Sequence, residues 1–163
     1  MSGFYQGFYK ISNPSKYLGK KPPIYRSSWE ADVCHFFDTN SKVVKWVSEP
    51  PEFELRYELP DRTTHTYHPD FYVEMWDDRK ILRKFLVEVK PMSQSPRHSP
   101  PPKEPRIKKN NSMQNWAGRM RDWMINKIKW EATEKWLKKY RPDITFIVIT
   151  EIETKIWGNK KKK

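Results

Sequence analysis

The stretch His68-Pro69-Asp70-Phe71-Tyr72-Val73-Glu74-Met75-Trp76-Asp77-Asp78-Arg79-Lys80-Ile81-Leu82-Arg83-Lys84-Phe85-Leu86-Val87-Glu88-Val89-Lys90 reads as two strands joined by a turn at Asp77-Asp78. Side chains alternate along a strand, so Phe85, Val87 and Val89 share one face and Leu86, Glu88 and Lys90 the other. The first half belongs to a strand over residues 63–75, in which Pro69, lacking an N–H, marks a bulge or a change of pairing partner. Upstream, Phe53, Leu55, Tyr57 and Leu59 alternate with Glu52, Glu54, Arg56 and Glu58, the pattern of a strand with one buried face. Pro60-Asp61-Arg62 turns that strand back. Three antiparallel strands in a meander are therefore expected.

Working outward, residues 43–47 form a short apolar run, stopped by Pro50 and Pro51, suited to an edge strand. Ser27 and Glu30 have capping-box spacing, and Trp29, Val33, Phe36 and Phe37 recur at helical intervals, which predicts a helix ending near residues 38–40. Residues 1–25 show no sustained period and read as an extended arm that packs by its aromatics or binds a partner. On the other side, residues 93–112 are rich in Pro, Ser and Lys and are expected to be a mobile loop. Ala117, Met120, Met124, Ile128, Ala132, Trp136 and Tyr140 then recur every three or four residues, as the sheet-facing stripe of a long amphipathic helix over 113–140. Residues 144–149 suit a buried last strand, and residues 151–163 a frayed basic tail. The fold class is α/β, more narrowly α+β: helix, three-strand meander, helix, strand, with a mixed sheet flanked by helices. The chain's 163 residues suit a single domain.

Lys and Arg number 32 against 20 Asp and Glu, a formal net charge of +12, which favours a polyanionic partner, and nucleic acid above others. Residues 1–92 carry a net +1 and residues 93–163 a net +11, so the second part is the expected DNA-holding part. A single cysteine, Cys34, excludes an intramolecular disulfide and a Cys-rich zinc site and suits a reducing cytoplasm. Cys34-His35 on the first helix reads as core packing, since adjacent helical residues diverge. No apolar run approaches the roughly 20 residues needed to cross a bilayer, and residues 1–10 do not read as a signal peptide. No membrane partner is expected. Aromatic residues at 15% argue against a disordered basic protein.

Phosphodiester hydrolysis needs charge neutralisation at the phosphate and an activated water, tasks suited to a hard cation on oxygen ligands. Asp70, just after Pro69, and the pair Glu88 and Lys90, two apart on the next strand, are placed to converge on one face. The Val89 carbonyl between them offers a further oxygen, and Lys90 is placed to orient the water and stabilise charge on phosphorus. Glu-x-Lys alone, in a chain that is 32% charged, is equally a solvated strand face. Its setting, closing an apolar strand after His68-Pro69-Asp70-Phe71, favours chemistry. Glu30 has two readings, a capping-box acceptor or an acid of the site. His68 shares parity with Asp70 and is a secondary candidate, whereas His65 and His68 fall on opposite strand faces and make no zinc pair.

The runs Ser28-Trp29-Glu30, Tyr67-His68-Pro69-Asp70-Phe71 and Leu86-Val87-Glu88-Val89-Lys90 together resemble PD-(D/E)xK nucleases of the TnsA-like branch. The resemblance implies a restriction-endonuclease-like core and an Mg²⁺- (or Mn²⁺-) dependent endodeoxyribonuclease. It also implies Asp70 and Glu88 as metal ligands, Lys90 as the catalytic lysine and Glu30 as the helix-borne acid. More narrowly, Met1-Ser2-Gly3-Phe4-Tyr5-Gln6-Gly7 and the overall size resemble nucleases that complete phage heads. That implies trimming of DNA ends, portal or neck proteins as partners, and action in the host cytoplasm or on the virion.

Double-stranded DNA is the expected substrate, gripped by Arg97, Lys103, Arg106, Lys108 and Lys109 on the Pro-rich loop and by Arg119 on the long helix. Arg121, Lys127 and Lys129 on that helix read equally as a solubilising face, and Trp116, Trp123 and Trp136 as core. The competing function is a non-catalytic DNA-binding or head/neck-docking protein on a nuclease scaffold.

Overall fold

The elements follow the chain as β1 (Gly7–Phe8), β2 (Ile24–Tyr25), α1 (Ser28–Thr39), β3 (Val43–Ser48), β4 (Leu55–Glu58), β5 (Thr64–Tyr67), β6 (Phe71–Trp76), β7 (Leu82–Val89), α2 (Asn110–Tyr140), β8 (Ile144–Ile149) and α3 (Glu151–Asn159). One-turn 3-10 helices lie at Pro14–Lys16 and Met92–Gln94. This computed structural model describes residues 5–107 and 109–159, with side chains to residue 155. The main sheet has the order β3-β6-β7-β8, antiparallel except for the parallel β7–β8 pair. It is the mixed sheet flanked by helices that the sequence predicts. On one face Phe71, Val73, Val87 and Val89 pack with Val33, Cys34 and Phe37 of α1. On the other, Tyr72, Leu86, Phe146 and Val148 pack with Trp130 and Leu137 of α2.

The three-strand meander is corrected. Pro69 ends β5, and the chain resumes as β6 in a different sheet, so β4 and β5 form their own two-stranded hairpin. A proline has no N–H for the ladder, and the chain changes partner where the ladder breaks. The hairpin folds over α2 through Leu55 and Tyr67, while the edge of β6 is taken by β3. The edge strand expected at 43–47 is thus part of the main sheet.

The stripe expected on the long helix is also corrected. The buried face of α2 is Asn126, Trp130, Thr133 and Leu137, whereas Ala117, Met124 and Tyr140 are exposed. Apolar side chains occur on several sides of this helix, so periodicity alone does not select the one that meets the sheet. Trp116 and Trp123 face the Pro-rich loop instead, their indole N–H groups donating to the carbonyls of Pro102 (3.0 Å) and Ser99 (3.1 Å). With Asn126 Nδ2 donating to the Gln94 carbonyl (2.9 Å), these bonds tie the expected loop along the helix.

The arm is ordered by a carboxylate that periodicity does not reveal. Asp38, fully buried at the end of α1, accepts from the Tyr9 hydroxyl (3.0 Å) and from the N–H groups of Ser12 (2.7 Å) and Asn13 (2.9 Å). Tyr17 then packs edge-on against the buried Trp46, and Leu18 N–H donates to the Trp46 carbonyl (2.9 Å), covering the open edge of β3. The expected tail is corrected over residues 151–159, which form α3, while residues 160–163 of it lie outside the described residues. Thr150 caps α3: Glu153 accepts from the Thr150 N–H at 2.8 Å and from its hydroxyl at 2.7 Å. Thr150-x-x-Glu153 is a legible capping box.

Candidate active site

Phe71 pairs with Val87 across β6 and β7, and one step back in that register brings Asp70 opposite Glu88. Directly opposed residues share a sheet face, so Asp70, Glu88 and Lys90 all project toward α2, leaving Val87 and Val89 to the α1 core. Two backbone contacts hold Asp70 where Pro69 has broken the ladder. Its carbonyl accepts the Glu49 N–H (2.8 Å), and its Oδ2 accepts the Val89 N–H (2.7 Å). Glu49 makes this turn in the left-handed region (φ 48°) and ion-pairs with Arg26. The Val89 N–H and carbonyl leave the strand on the same edge, which puts the carbonyl on the Asp70 side.

Glu88 is 2% exposed. Its Oε2 accepts from the Tyr67 hydroxyl, and its Oε1 lies 3.1 Å from Lys129 Nζ and 3.5 Å from Lys90 Nζ. Lys129 also lies over the Tyr67 ring, 4.5 Å from its centre. The sequence therefore foretold three members of this group and missed two, Tyr67 and Lys129. Tyr67 sits two residues before Pro69 on a strand reading as half-buried, and Lys129 among helix lysines suited to solvent; neither carries a local signal of its role.

The electrostatics follow from burial and charge. Burial and the facing Glu88 carboxylate push the Asp70 carboxyl well above the usual carboxylate range, with Glu30 adding to the effect and the Val89 N–H and Lys90 opposing it. Burial and the Glu88 charge likewise push Tyr67 up, so its hydroxyl keeps its proton and donates. Burial pulls Lys90 down, but Glu88 and Asp70 outweigh it and hold the ammonium above its ordinary value. Lys90 is therefore a cation at neutral pH. A buried carboxylate, Glu88, opposite a half-buried one, Asp70, beside a backbone carbonyl, forms a hard-oxygen donor set that suits a divalent cation such as Mg²⁺ or Mn²⁺. Among the described residues no cluster of three or more His, Cys, Asp or Glu side chains converges.

Glu30 stands apart from those two carboxylates. Its Oε2 accepts the Arg26 N–H (2.8 Å), its Oε1 accepts from the Ser27 hydroxyl (3.2 Å), and its own N–H donates to Ser27 Oγ (3.1 Å). The geometry is a helix cap, while its charge is still felt at Asp70 and Lys90. His68 is exposed beside the site. Lys103, Arg106, Lys109 and Arg119 are exposed on the loop and the first half of α2; Lys108 lies outside the described residues. Arg97 is placed differently from its expected role: it donates to the Phe146 carbonyl (3.1 Å), ion-pairs with Glu134 and lies 4.9 Å over the Phe146 ring. It clamps the loop to β8 and α2.

A family model described as TnsA-like endonuclease N terminal matches residues 40–151, a span that includes Asp70, Glu88, Lys90 and Lys129. The chain is also similar to the head completion nuclease of Enterobacteria phage T4, at 24% identity over 157 residues, covering 96% of this chain and 97% of that protein. No solved structure matches it.

Proposed function

Because the chain belongs to the TnsA-like endonuclease family, whose fold is restriction-endonuclease-like and whose substrate is DNA, we propose that it hydrolyses DNA phosphodiesters at Asp70, Glu88 and Lys90 with a divalent cation. The observation that carries this reading is the convergence of a buried carboxylate, Glu88, a half-buried one, Asp70, and a protonated lysine on one sheet face. Asp70 and Glu88, with the Val89 carbonyl, would hold Mg²⁺ or Mn²⁺. Bound there, the ion supplies charge neutralisation at the phosphate and a lowered water pKa.

The chain's own groups do the rest. Lys90, held protonated by the carboxylates, orients the attacking water and stabilises negative charge developing on phosphorus. Asp70 is kept in register by the Glu49 and Val89 N–H groups. Glu30 contributes charge at a distance rather than a ligand. Lys103, Arg106, Lys109 and Arg119 supply sequence-independent affinity for the duplex. By its similarity to a head completion nuclease, we assign it the trimming of DNA ends at that stage of phage assembly, in the infected host cytoplasm and in contact with portal or neck proteins.

The test is incubation of purified protein with linear and supercoiled DNA, with Mg²⁺ or with chelator. Cleavage that needs the ion, and that slows by at least about a hundredfold in Lys90→Ala with DNA binding retained, is the expected result. DNA binding without cleavage under any divalent ion would leave a docking protein on a nuclease scaffold.

A further inference from the structure

Lys129 comes to the site from α2, far in sequence from the strand residues it meets. Its side chain is 13% exposed, with Nζ 3.1 Å from Glu88 Oε1 and 4.5 Å from the centre of the Tyr67 ring. Tyr67 holds the other oxygen, Oε2, and Lys90 Nζ lies 3.5 Å from the oxygen that Lys129 shares. Both Glu88 oxygens are thus engaged by donors from β5, from α2 and from the end of β7. A lysine head group withdrawn from water is strongly unfavourable unless it is paired, and an outward rotamer is open to most helix lysines. This one is turned in, onto a carboxylate that is itself 2% exposed.

We propose that Lys129 is a positioning residue that fixes Glu88 together with Tyr67 and supplies its counter-charge, so that it competes with a divalent cation for Glu88 Oε1. The competition rests on the reading that Asp70 and Glu88 hold that cation; the positioning of Glu88 does not. With Lys90 and Lys129 against Asp70 and Glu88, the ionised group is formally neutral, and a divalent ion enters against two ammoniums. Lys129 keeps the buried carboxylate compensated until then. It also raises the ion concentration at which the site fills.

Three readouts test this. In a thermal double-mutant cycle, Lys129→Met lowers Tm in the wild-type background and by clearly less in Glu88→Gln, because the ion pair is already absent there. Equal decreases in both backgrounds overturn the pairing. In calorimetric titration of Mn²⁺ into DNA-free protein, Lys129→Met binds the ion at least about threefold more tightly; unchanged or weaker binding overturns the competition. In cleavage assays Lys129→Met lowers the Mn²⁺ concentration that gives half-maximal rate at least about threefold, with KM for DNA unchanged, and Lys129→Arg restores the wild-type requirement. A wild-type Mn²⁺ requirement in Lys129→Met overturns the competition. A wild-type protein that binds no divalent ion refutes the cation reading and the competition with it, while the thermal cycle still decides whether Lys129 holds Glu88. Should Lys129→Met fail to fold, Lys129→Gln, which keeps a donor without the charge, carries the same readouts.

Discussion

Burial and the Glu88 charge hold the Asp70 carboxyl above its ordinary range, so in the ion-free protein its ionised form is less favourable than in the unfolded chain. A raised carboxyl binds its proton more tightly when folded. Its contribution to stability is full below the unfolded pKa and is lost as pH rises through the folded one. Asp70→Asn, which keeps an acceptor for the Val89 N–H, is expected to raise Tm at neutral pH in the absence of divalent ions and to abolish cleavage. The gain should shrink toward acid pH, and melting curves with chelator across the range from pH 4 to about pH 8 check it. A lower Tm at neutral pH would mean that the Asp70 charge is compensated without a cation. At Glu30, Gln retains an acceptor for the Arg26 N–H. Glu30→Gln should therefore change stability by no more than about 0.5 kcal/mol. Removing a charge felt at Asp70 and Lys90 should still reduce cleavage a few-fold, roughly two to five. A decrease as deep as that of Asp70→Asn would make Glu30 a ligand, and full activity would make it a cap alone.

Among the elements, the arm and the Pro-rich loop are held by polar contacts made at single points. Asp38 joins three donors of residues 9–13 to the end of α1, in part-buried bonds at the margin of the core that holds Trp46. Asp38→Ala removes three part-buried hydrogen bonds to a carboxylate and is expected to cost about 2 kcal/mol. Urea denaturation reads the destabilisation, and limited proteolysis should cut first between residues 10 and 25. Protection of that segment equal to wild type would show that Tyr17 on Trp46 suffices to hold the arm. The hairpin β4–β5 has a different role. By leaving the main sheet at Pro69 it carries Tyr67 over α2, where its hydroxyl reaches Glu88 and its ring meets Lys129. A strand that stayed in the meander would not have brought these groups together.

Across the whole molecule, the acidic residues of the proposed site and the cations proposed to hold DNA are separated. The carboxylates sit at the ends of β6 and β7, and exposed Lys103, Arg106, Lys109 and Arg119 line the loop and the first half of α2. Charge reversal at Arg106 and Lys109 is expected to weaken DNA binding at low salt and to lower the slope of log K against log salt by about 0.9 for each phosphate no longer neutralised. Fluorescence anisotropy across a salt series measures it, and an unchanged slope would move the grip elsewhere. Arg97 is the contrasting case. Reversing it should act mainly on stability, because its guanidinium is tied to Phe146 and Glu134.

What the sequence determined by itself was local: the alternation that makes β4 and β7, the Ser27 and Glu30 start of α1, the common face of Glu88 and Lys90, and the excess of positive charge after residue 92. These depend on neighbours two to four positions apart, whose geometry the backbone sets wherever the segment lies. The tertiary structure decided which strand edge β3 occupies, which side of α2 is buried and which groups complete the site. The bonds Tyr67 to Glu88, Lys129 to Glu88 and Tyr9 to Asp38 span 21, 41 and 29 residues. A lysine among helix lysines and a tyrosine on a half-buried strand carry no local mark of such a meeting. It is created when the sheet and hairpin compete to bury their apolar faces on α2, and Pro69, by breaking one ladder, settles which strand goes to each.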